Sequence, residues 1–527
     1  MRGARLRVGV LELLSAAGRP YALRDAHRHW IARQYASITP QAVSVWSRGL
    51  GHETFYATYY GQVDPARLLP DDLDVVFVGA YTSAAPLAYA LAKRWRRAGT
   101  TTVIGGPHAK GFPDDCLRFF DVAVGDCDRA LIAEILRDRP RGERLTTGRP
   151  LTDVPTIEER LPEIRTASFW RGRPHPYVVV GVLSSVGCPY RCGFCTDWDT
   201  DYALLPLDRL AADLRFVATT MPMVKVAFHD PNFGVRFDPV MATIERLTAE
   251  APVTYMIEAS LSVLRGARLA RLRDTGCWYV ATGVESWAEY SNKTAASTHG
   301  REKLERVLAR FAAISTHVPV LQANFIFGVD GDRGAEPAEL TREFIRRAPA
   351  VWPNLTVPTP FGGTPLYDAH RSGGRILETM PFAFYNTPYL VTTPAHYAPA
   401  DYYDAIVAVL EELTTPAVLR ARLAPRRGML AVIDGLRLLG IRRALGEYRA
   451  IAALLRSDVR FRAFHERRAT ALPAFYAERF ARLLGPYAEL LAADERVPRL
   501  PPPAYAPAAA TTPTPAGVEA LDAASAR

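Results

Sequence analysis

Ser185-Val186-Gly187-Cys188-Pro189-Tyr190-Arg191-Cys192-Gly193-Phe194-Cys195 gathers three of the chain's six cysteines at the spacing C-x3-C-x2-C. Three thiolates this close can hold three corners of a [4Fe–4S] cluster, whose ligands are normally cysteine sulfurs. Three ligands for four irons leave one iron open to a small molecule, which makes the site reactive rather than purely structural. With six cysteines in 527 residues, coincidence would supply roughly 0.0007 such patterns. Zinc is the structural alternative. It wants four ligands, commonly two Cys/Cys or Cys/His pairs, and no second pair follows at such a spacing. A disulfide framework would need more cysteines in so long a chain.

The motif resembles the signature of the radical SAM superfamily, including the aromatic Phe194 just before the third cysteine. The resemblance implies a [4Fe–4S] cluster on Cys188, Cys192 and Cys195. It also implies S-adenosylmethionine chelating the open iron through its amino and carboxylate groups, with Phe194 packed on the adenine. One electron from the reduced cluster would then release a 5′-deoxyadenosyl radical.

The whole chain sets the bounds. Its length corresponds to two to four domains of roughly 100–200 residues. Hydrophobic content of 49% is that of a globular protein. The net charge of +9 arises from 64 basic and 55 acidic residues that are mostly interspersed. Short Arg clusters such as Arg94 to Arg97 read as solvated surface, and no nucleic-acid partner is expected. The few cysteines, with a thiolate cluster site among them, point to a reducing cytoplasm. The N-terminal run Leu6 to Leu14 mimics a signal peptide, but Arg7 and Glu12 interrupt it and it reads better as a first strand. No window approaches the ~18 uninterrupted apolar residues of a membrane span, so no transmembrane segment is expected.

Residues 1–150 alternate strand and helix signals. Val75 to Val78 is a β-rich run ending at Gly79, and Ser83 reads as the N-cap of a helix with Pro86 in its first turn. Leu87, Leu91 and Trp95 recur at helical spacing, and Gly99 closes the helix. Strands follow at Thr101 to Ile104 and Val122 to Val124. Repeated βαβ units of this kind build a doubly wound, Rossmann-like parallel sheet that binds ligands beyond its carboxyl ends. This half resembles the cobalamin-binding domain that precedes many radical SAM domains, on the residues Gly105-Gly106-Pro107-His108-Ala109 and Val124-Gly125-Asp126. The resemblance implies cobalamin contacts at Ser83, Gly105, Gly106, His108 and Gly125. It also shows one departure. Cobalamin mutases carry Asp-x-His-x-x-Gly, whose His ligates cobalt; the nearest string here, Asp25-Ala26-His27-Arg28-His29-Trp30, lacks the Gly. His108 is read as a loop residue near the corrin rather than a cobalt ligand.

Residues 151–172 form a polar connector. From 173 to 375 about six βα units describe a partial (β/α)6 TIM-type barrel, whose sites lie at the C-terminal strand ends. Strands are expected at Val178 to Leu183, Val224 to Phe228, Thr254 to Ile257, Tyr279 to Thr282, Ala323 to Phe327 and Leu355 to Val357. The cysteine loop leaves the first. The next three ends carry His229-Asp230-Pro231-Asn232, Glu258-Ala259-Ser260 and Gly283-Val284-Glu285-Ser286. Following the family pattern, Asp230, Asn232, Glu258, Ser260, Gly283 and Glu285 are expected to contact the cosubstrate. The family's commoner second-strand sequence is Gly-Gly-Glu, so that match is approximate. Residues 376–495 read as helical, with Tyr385, Tyr389, Tyr402 and Tyr403 as core or pocket lining. The Pro-, Ala- and Thr-rich residues 496–527 read as a disordered tail.

The α/β chain therefore resembles the cobalamin-dependent, class B, radical SAM enzymes. The implied chemistry is C-methylation of an unactivated carbon in a small-molecule or lipid metabolite, with an electron donor such as flavodoxin or ferredoxin. Relatives that cyclise or contract rings without methyl transfer supply an alternative. A cobalamin sensor without turnover is a third reading, disfavoured by the intact cysteine triad.

Overall fold

The computed structural model describes residues 5–19, 36–149, 151–176, 178–288, 290, 299–426 and 428–503. The Asp25 to Trp30 string and the tail beyond 503 lie outside them.

The N-terminal strands are β1 (Arg7–Leu13), β2 (Glu53–Tyr59), β3 (Val75–Ala80), β4 (Thr101–Gly105), β5 (Val122–Val124) and β6 (Glu143–Leu145). They form one sheet in the order β2-β1-β3-β4-β5-β6, with every pair parallel. Both faces are covered. Val8, Val10, Val75, Phe77, Val103 and Val122 pack on one side with Trp46 and Ile132 of the helices Ile38–Gly49 and Arg129–Asp138. Leu11, Leu13, Val76, Val78 and Ile104 pack on the other with Leu87, Leu91 and Trp95 of the helix Ala85–Arg97. Burial on both faces explains the unbroken apolar runs, as expected of a parallel sheet. Strand order reverses between β1 and β3, and the crevice of a doubly wound sheet lies at such a point.

The barrel strands are β7 (Val179–Val182), β10 (Lys225–Phe228), β11 (Tyr255–Glu258), β12 (Cys277–Glu285), β13 (Val320–Ile326) and β14 (Val351–Thr356). They run in the order β14-β13-β12-β11-β10-β7, all parallel. Their outward residues, among them Val180, Val226, Ile257, Val280, Leu321 and Phe325, meet the surrounding helices in a second core. Between β7 and β10 sits a miniature antiparallel ladder of β8 (Ser185–Val186) and β9 (Ala203–Leu204), which closes the base of the cysteine loop.

Helices dominate from Pro399 onward, including the 29-residue helix Met429–Ser457. Tyr385, Tyr402 and Tyr403 are core residues, and Tyr402 donates to the Phe327 carbonyl at 2.7 Å. The chain stays docked past residue 496. Arg118 donates to the carbonyls of Asp494 and Val497, the Arg499 amide to Asp115, and Tyr367 to the Pro501 carbonyl. Among the described residues no helix is long and apolar enough to cross a membrane.

Glu12 on β1 is buried, and its carboxylate accepts from the Ser37 amide at 2.9 and 3.2 Å. Burial pushes its pKa from 4.5 up to about 7, against the pull of the Ser37 and Tyr56 hydrogen bonds. A carboxyl that binds its proton more tightly when folded contributes stability below its unfolded pKa and loses it as pH rises through about 7. Glu12→Gln mimics the protonated acid and removes that slope. Urea unfolding of the apo protein at pH 5 and pH 8 should show the variant gaining roughly 2–3 kcal/mol on the wild type across the interval.

Candidate active site

The cysteine loop is an excursion from the C-terminal end of β7. The Leu205 amide bonds the Ser184 carbonyl and the Cys188 amide bonds the Thr200 carbonyl, closing it at its root. Gly187 has φ +67, and a Cβ there would overlap the Asp201 carbonyl, so both conformation and space require glycine. Arg191 also turns left-handed, at φ 45, and the Cys195 amide returns to the Cys192 carbonyl at 2.9 Å. Cys188 and Cys192 are buried, and Cys195 is half-buried. This donor set fits a cubane with three thiolate corners. Among the described residues no three His, Cys, Asp or Glu side chains stand close enough to hold a single ion, as zinc would require.

Asp230 lies just beyond β10, is buried, and accepts from the Ser184 amide at 3.0 Å, Ser184 Oγ at 2.5 Å and Ser185 Oγ at 2.6 Å. Burial pushes its pKa up, and those serine donors pull it back. This carboxylate was expected to touch the cosubstrate. Its acceptor capacity is instead spent on the two residues that lead into the cysteine loop, which makes it a positioning residue. Asn232 is also buried, and its Oδ1 accepts from the Ser260 amide at 2.8 Å, while its Nδ2 has no protein partner. Ser260 bonds Ser262, which lies 3.4 Å from the Tyr190 hydroxyl of the cysteine loop. Glu258 is exposed at the end of β11.

At the end of β12 the register slips between Gly283 and Glu285. Glu285 has φ +63, uncommon for any residue but glycine, and its carboxylate occupies the place of a Gly283 side chain. The following residue, Ser286, donates to the buried Asp332 at 2.5 Å, and Asp332 also accepts from the Gly328 amide at 2.8 Å. Phe194 of the cysteine motif stacks on Tyr290 at 5.0 Å between centroids, with 5° between planes. Thus Cys188, Cys192, Phe194, Cys195, Asn232, Glu258, Ser260, Gly283 and Glu285 all fall at the mouth of one barrel. Ser184, Ser185, Tyr290 and Asp332 were missed, because only tertiary contact reveals their partners.

The N-terminal candidates lie at the ends of β3, β4 and β5. Ser83 sits in a single 3-10 turn, Thr82–Ala84, and Ala84 rather than Ser83 caps the helix. Gly106 has φ +94 and packs so tightly on Ala80 that a Cβ would lie 3.2 Å from its carbonyl oxygen. A Cβ at Gly105 would find its nearest atom, the Val124 carbonyl oxygen, at 3.9 Å, so that strand end is unobstructed. Gly125 sits beside Thr146. His108 departs from expectation. It is buried, bonds the Tyr89 hydroxyl through Nε2 at 2.6 Å and lies 4.7 Å from the Phe382 ring. Burial drives its pKa down to about 3. It is a neutral core histidine, placed under the turn by its position in the helix Pro107–Gly111.

The two halves touch at this point. Lys110 lies 3.1 Å from Asp199, just past the cysteine motif, and 3.8 Å from Asp126 beyond β5. Burial disfavours its charge, but the two carboxylates outweigh this and hold its pKa up. Trp198 Nε1 donates to the Gly363 carbonyl at 2.7 Å, and the Leu366 amide donates to the Gly193 carbonyl at 2.9 Å.

No family model matches the chain. It is 24% identical over 386 residues to bacteriochlorophyllide d C-8(2)-methyltransferase of Chlorobaculum tepidum, covering 69% of this chain and 83% of that one. It is 26% identical over 313 residues to the C-12(1)-methyltransferase of the same organism, covering 57% of this chain and 67% of that one. The fold is that of TsrM from Kitasatospora setae, a radical S-adenosylmethionine methyltransferase solved with cobalamin and a [4Fe-4S] cluster bound. The TM-score is 0.52 at 13% identity, over 85% of this chain and all of that one. The chain thus has the fold of that radical S-adenosylmethionine methyltransferase and is similar in sequence to the two bacteriochlorophyllide methyltransferases.

The serine–aspartate contact has a measurable consequence. Asp230→Ala strands buried donors and frees the base of the cysteine loop, at a cost of about 1–3 kcal/mol. Iron and sulfide content after anaerobic reconstitution should fall severalfold, while Glu258→Gln, at an exposed strand end, should load like the wild type.

Proposed function

We propose that this chain is a cobalamin-dependent radical SAM methyltransferase that methylates an unactivated carbon of a small-molecule or lipid metabolite. The observation that carries the reading is the direct contact between the cysteine loop and the cofactor end of the N-terminal domain, through Lys110, Asp126 and Asp199. A domain that only stored or sensed a cofactor would have no need to stand at the barrel mouth. Relatives named as methyltransferases support the same reading.

When bound, the cluster with S-adenosylmethionine would supply hydrogen-atom abstraction from carbon, and cobalamin would supply the methyl group. Cys188, Cys192 and Cys195 would hold three irons of the cluster, and Asp230 fixes their loop through Ser184 and Ser185. Asn232, Glu258, Ser260 and Glu285 line the mouth as polar partners for the cosubstrate, with Gly283 leaving room for the Glu285 carboxylate. The Phe194–Tyr290 stack forms an apolar wall. Gly105, Gly106, Gly125 and Ser83, at their strand ends, would line the place for the corrin. A small electron donor such as flavodoxin or ferredoxin, in a reducing cytoplasm, would keep the cluster reducible.

The test is product analysis. The anaerobically reconstituted protein is given cobalamin, S-adenosylmethionine, a low-potential reductant and candidate small-molecule and lipid substrates. 5′-Deoxyadenosine together with S-adenosylhomocysteine and a methylated product is the expected result; deoxyadenosine alone would replace methylation by radical rearrangement. Cys192→Ala should lower both products at least about 100-fold, and activity surviving that change would contradict the cluster assignment.

A further inference from the structure

We infer that the contact between Gly111 and Gly362 is a spacer that sets how closely the cofactor end of the N-terminal domain approaches the barrel mouth. The inference rests on the function proposed above. Gly111 ends the helix Pro107–Gly111, which starts immediately after the Gly105-Gly106 turn. Gly362 lies between β14 and the helix Pro365–Ser372. The two backbones abut. A Cβ on Gly111 would stand 2.8 Å from the Gly362 carbonyl oxygen and 3.4 Å from its Cα. A Cβ on Gly362 would overlap the Gly111 carbonyl oxygen and stand 3.0 Å from the Phe112 ring.

Neither glycine has a left-handed φ, so backbone conformation does not demand glycine at either place. What glycine supplies here is proximity alone. Both sides of the contact are backbone, which cannot rotate aside as a side chain can. Added volume must therefore be met by moving one segment away from the other.

The segments that would move carry the site. Lys110 next to Gly111 is the residue that reaches Asp199 and Asp126. Gly363 next to Gly362 accepts from Trp198, and Leu366 bonds Gly193 inside the cysteine motif. Helix 107–111, the cysteine loop and the loop after β14 thus meet at one junction, and the glycine pair is its tightest point. Methyl transfer needs reacting atoms about 3–3.5 Å apart, so a wedge of one methyl group matters to a reaction shared between two domains.

Gly111→Ala and Gly362→Ala approach the contact from opposite sides, and one folded variant is enough to decide. Gly435→Ala is the control, because a Cβ there meets nothing within 4 Å. In the apo protein, amide hydrogen exchange over residues 193–200 and 361–366 should be at least about tenfold faster in the two contact variants than in wild type or control. In the protein loaded with hydroxocobalamin and then reduced, cob(II)alamin and the reduced cluster are both paramagnetic. Enhancement of cob(II)alamin spin relaxation by the cluster should fall severalfold in the contact variants, with cobalamin uptake and iron content unchanged. Exchange and relaxation both matching the wild type would overturn the spacer. A wild type that takes up no hydroxocobalamin would overturn the proposed use of that cofactor instead, and the apo exchange rates would still decide whether the glycines set the domain contact.

Discussion

A single dry carboxylate holds the cysteine loop to the barrel. Burial works against the charge of Asp230, and an ionised carboxylate in an apolar interior survives only when its lone pairs are used. Here three donors from Ser184 and Ser185 use them. The bond is reciprocal, because the same carboxylate satisfies the Ser184 amide at the point where β7 has ended and β8 has barely begun. Without it, neighbouring backbone would rest on a ladder only two residues long. The spacing of three thiolates at the loop's tip is thus inherited from a hydrogen-bonded anchor at its root.

Contacts of a different kind carry the loop across to the N-terminal domain. The Lys110–Asp199 pair is partly exposed, and such pairs are worth at most about 1 kcal/mol and are screened by salt. It steers more than it holds. The abutting backbones of Gly111 and Gly362 and the aromatic cluster of His108, Phe112 and Phe382 bear the load, while the Trp198 and Leu366 hydrogen bonds tie the cysteine loop to the loop after β14 within the barrel. Behind them the chain from Asp494 to Pro501 ties Arg118 and Asp115 of one domain to Tyr367 of the other. The geometry between the domains depends on packing and fixed hydrogen bonds, which salt does not weaken.

What was legible in the sequence follows from this division. Strands buried on both faces announce themselves as apolar runs, so β1, β3, β4, β5 and the six barrel strands stood where they were expected, within a few residues. β2 reads Glu-Thr-Phe-Tyr-Ala-Thr-Tyr and β6 is only Glu-Arg-Leu; both are sheet edges, half-exposed or more along much of their length, and neither shows an apolar run. The cysteine spacing and the strand-end order needed no tertiary knowledge. The roles of Asp230 and His108 did, since a sequence names a carboxylate or an imidazole without saying which neighbours consume it. Gly111 and Gly362 were illegible for the opposite reason: their conformation is ordinary, and only a partner 251 positions away in the chain explains the missing side chain.

The barrel's inner wall completes the division of labour. Leu321, Ala323 and Phe325 face the outer core, so Gln322 and Asn324 face inward. Asn324 pairs in register with Gly283 on one side and Asn354 on the other, and its Oδ1 accepts from both Gln322 and Asn354. The Glu285 carboxylate lies over Gly283 on that same face, held there in a left-handed conformation that costs about 1–3 kcal/mol. The strain persists because Ser286, Asp332, Gly328 and Lys303 fix the chain on the far side of it. Thiols therefore gather at the β7 end of the open barrel and amides with carboxylates at the β12 to β14 end. The loop after β14 bends back to the cysteine loop and closes the gap between them. A six-stranded barrel left open in this way has an edge against which a second domain can be set, and the contacts of Gly111 with Gly362 and of Lys110 with Asp199 are where it is set.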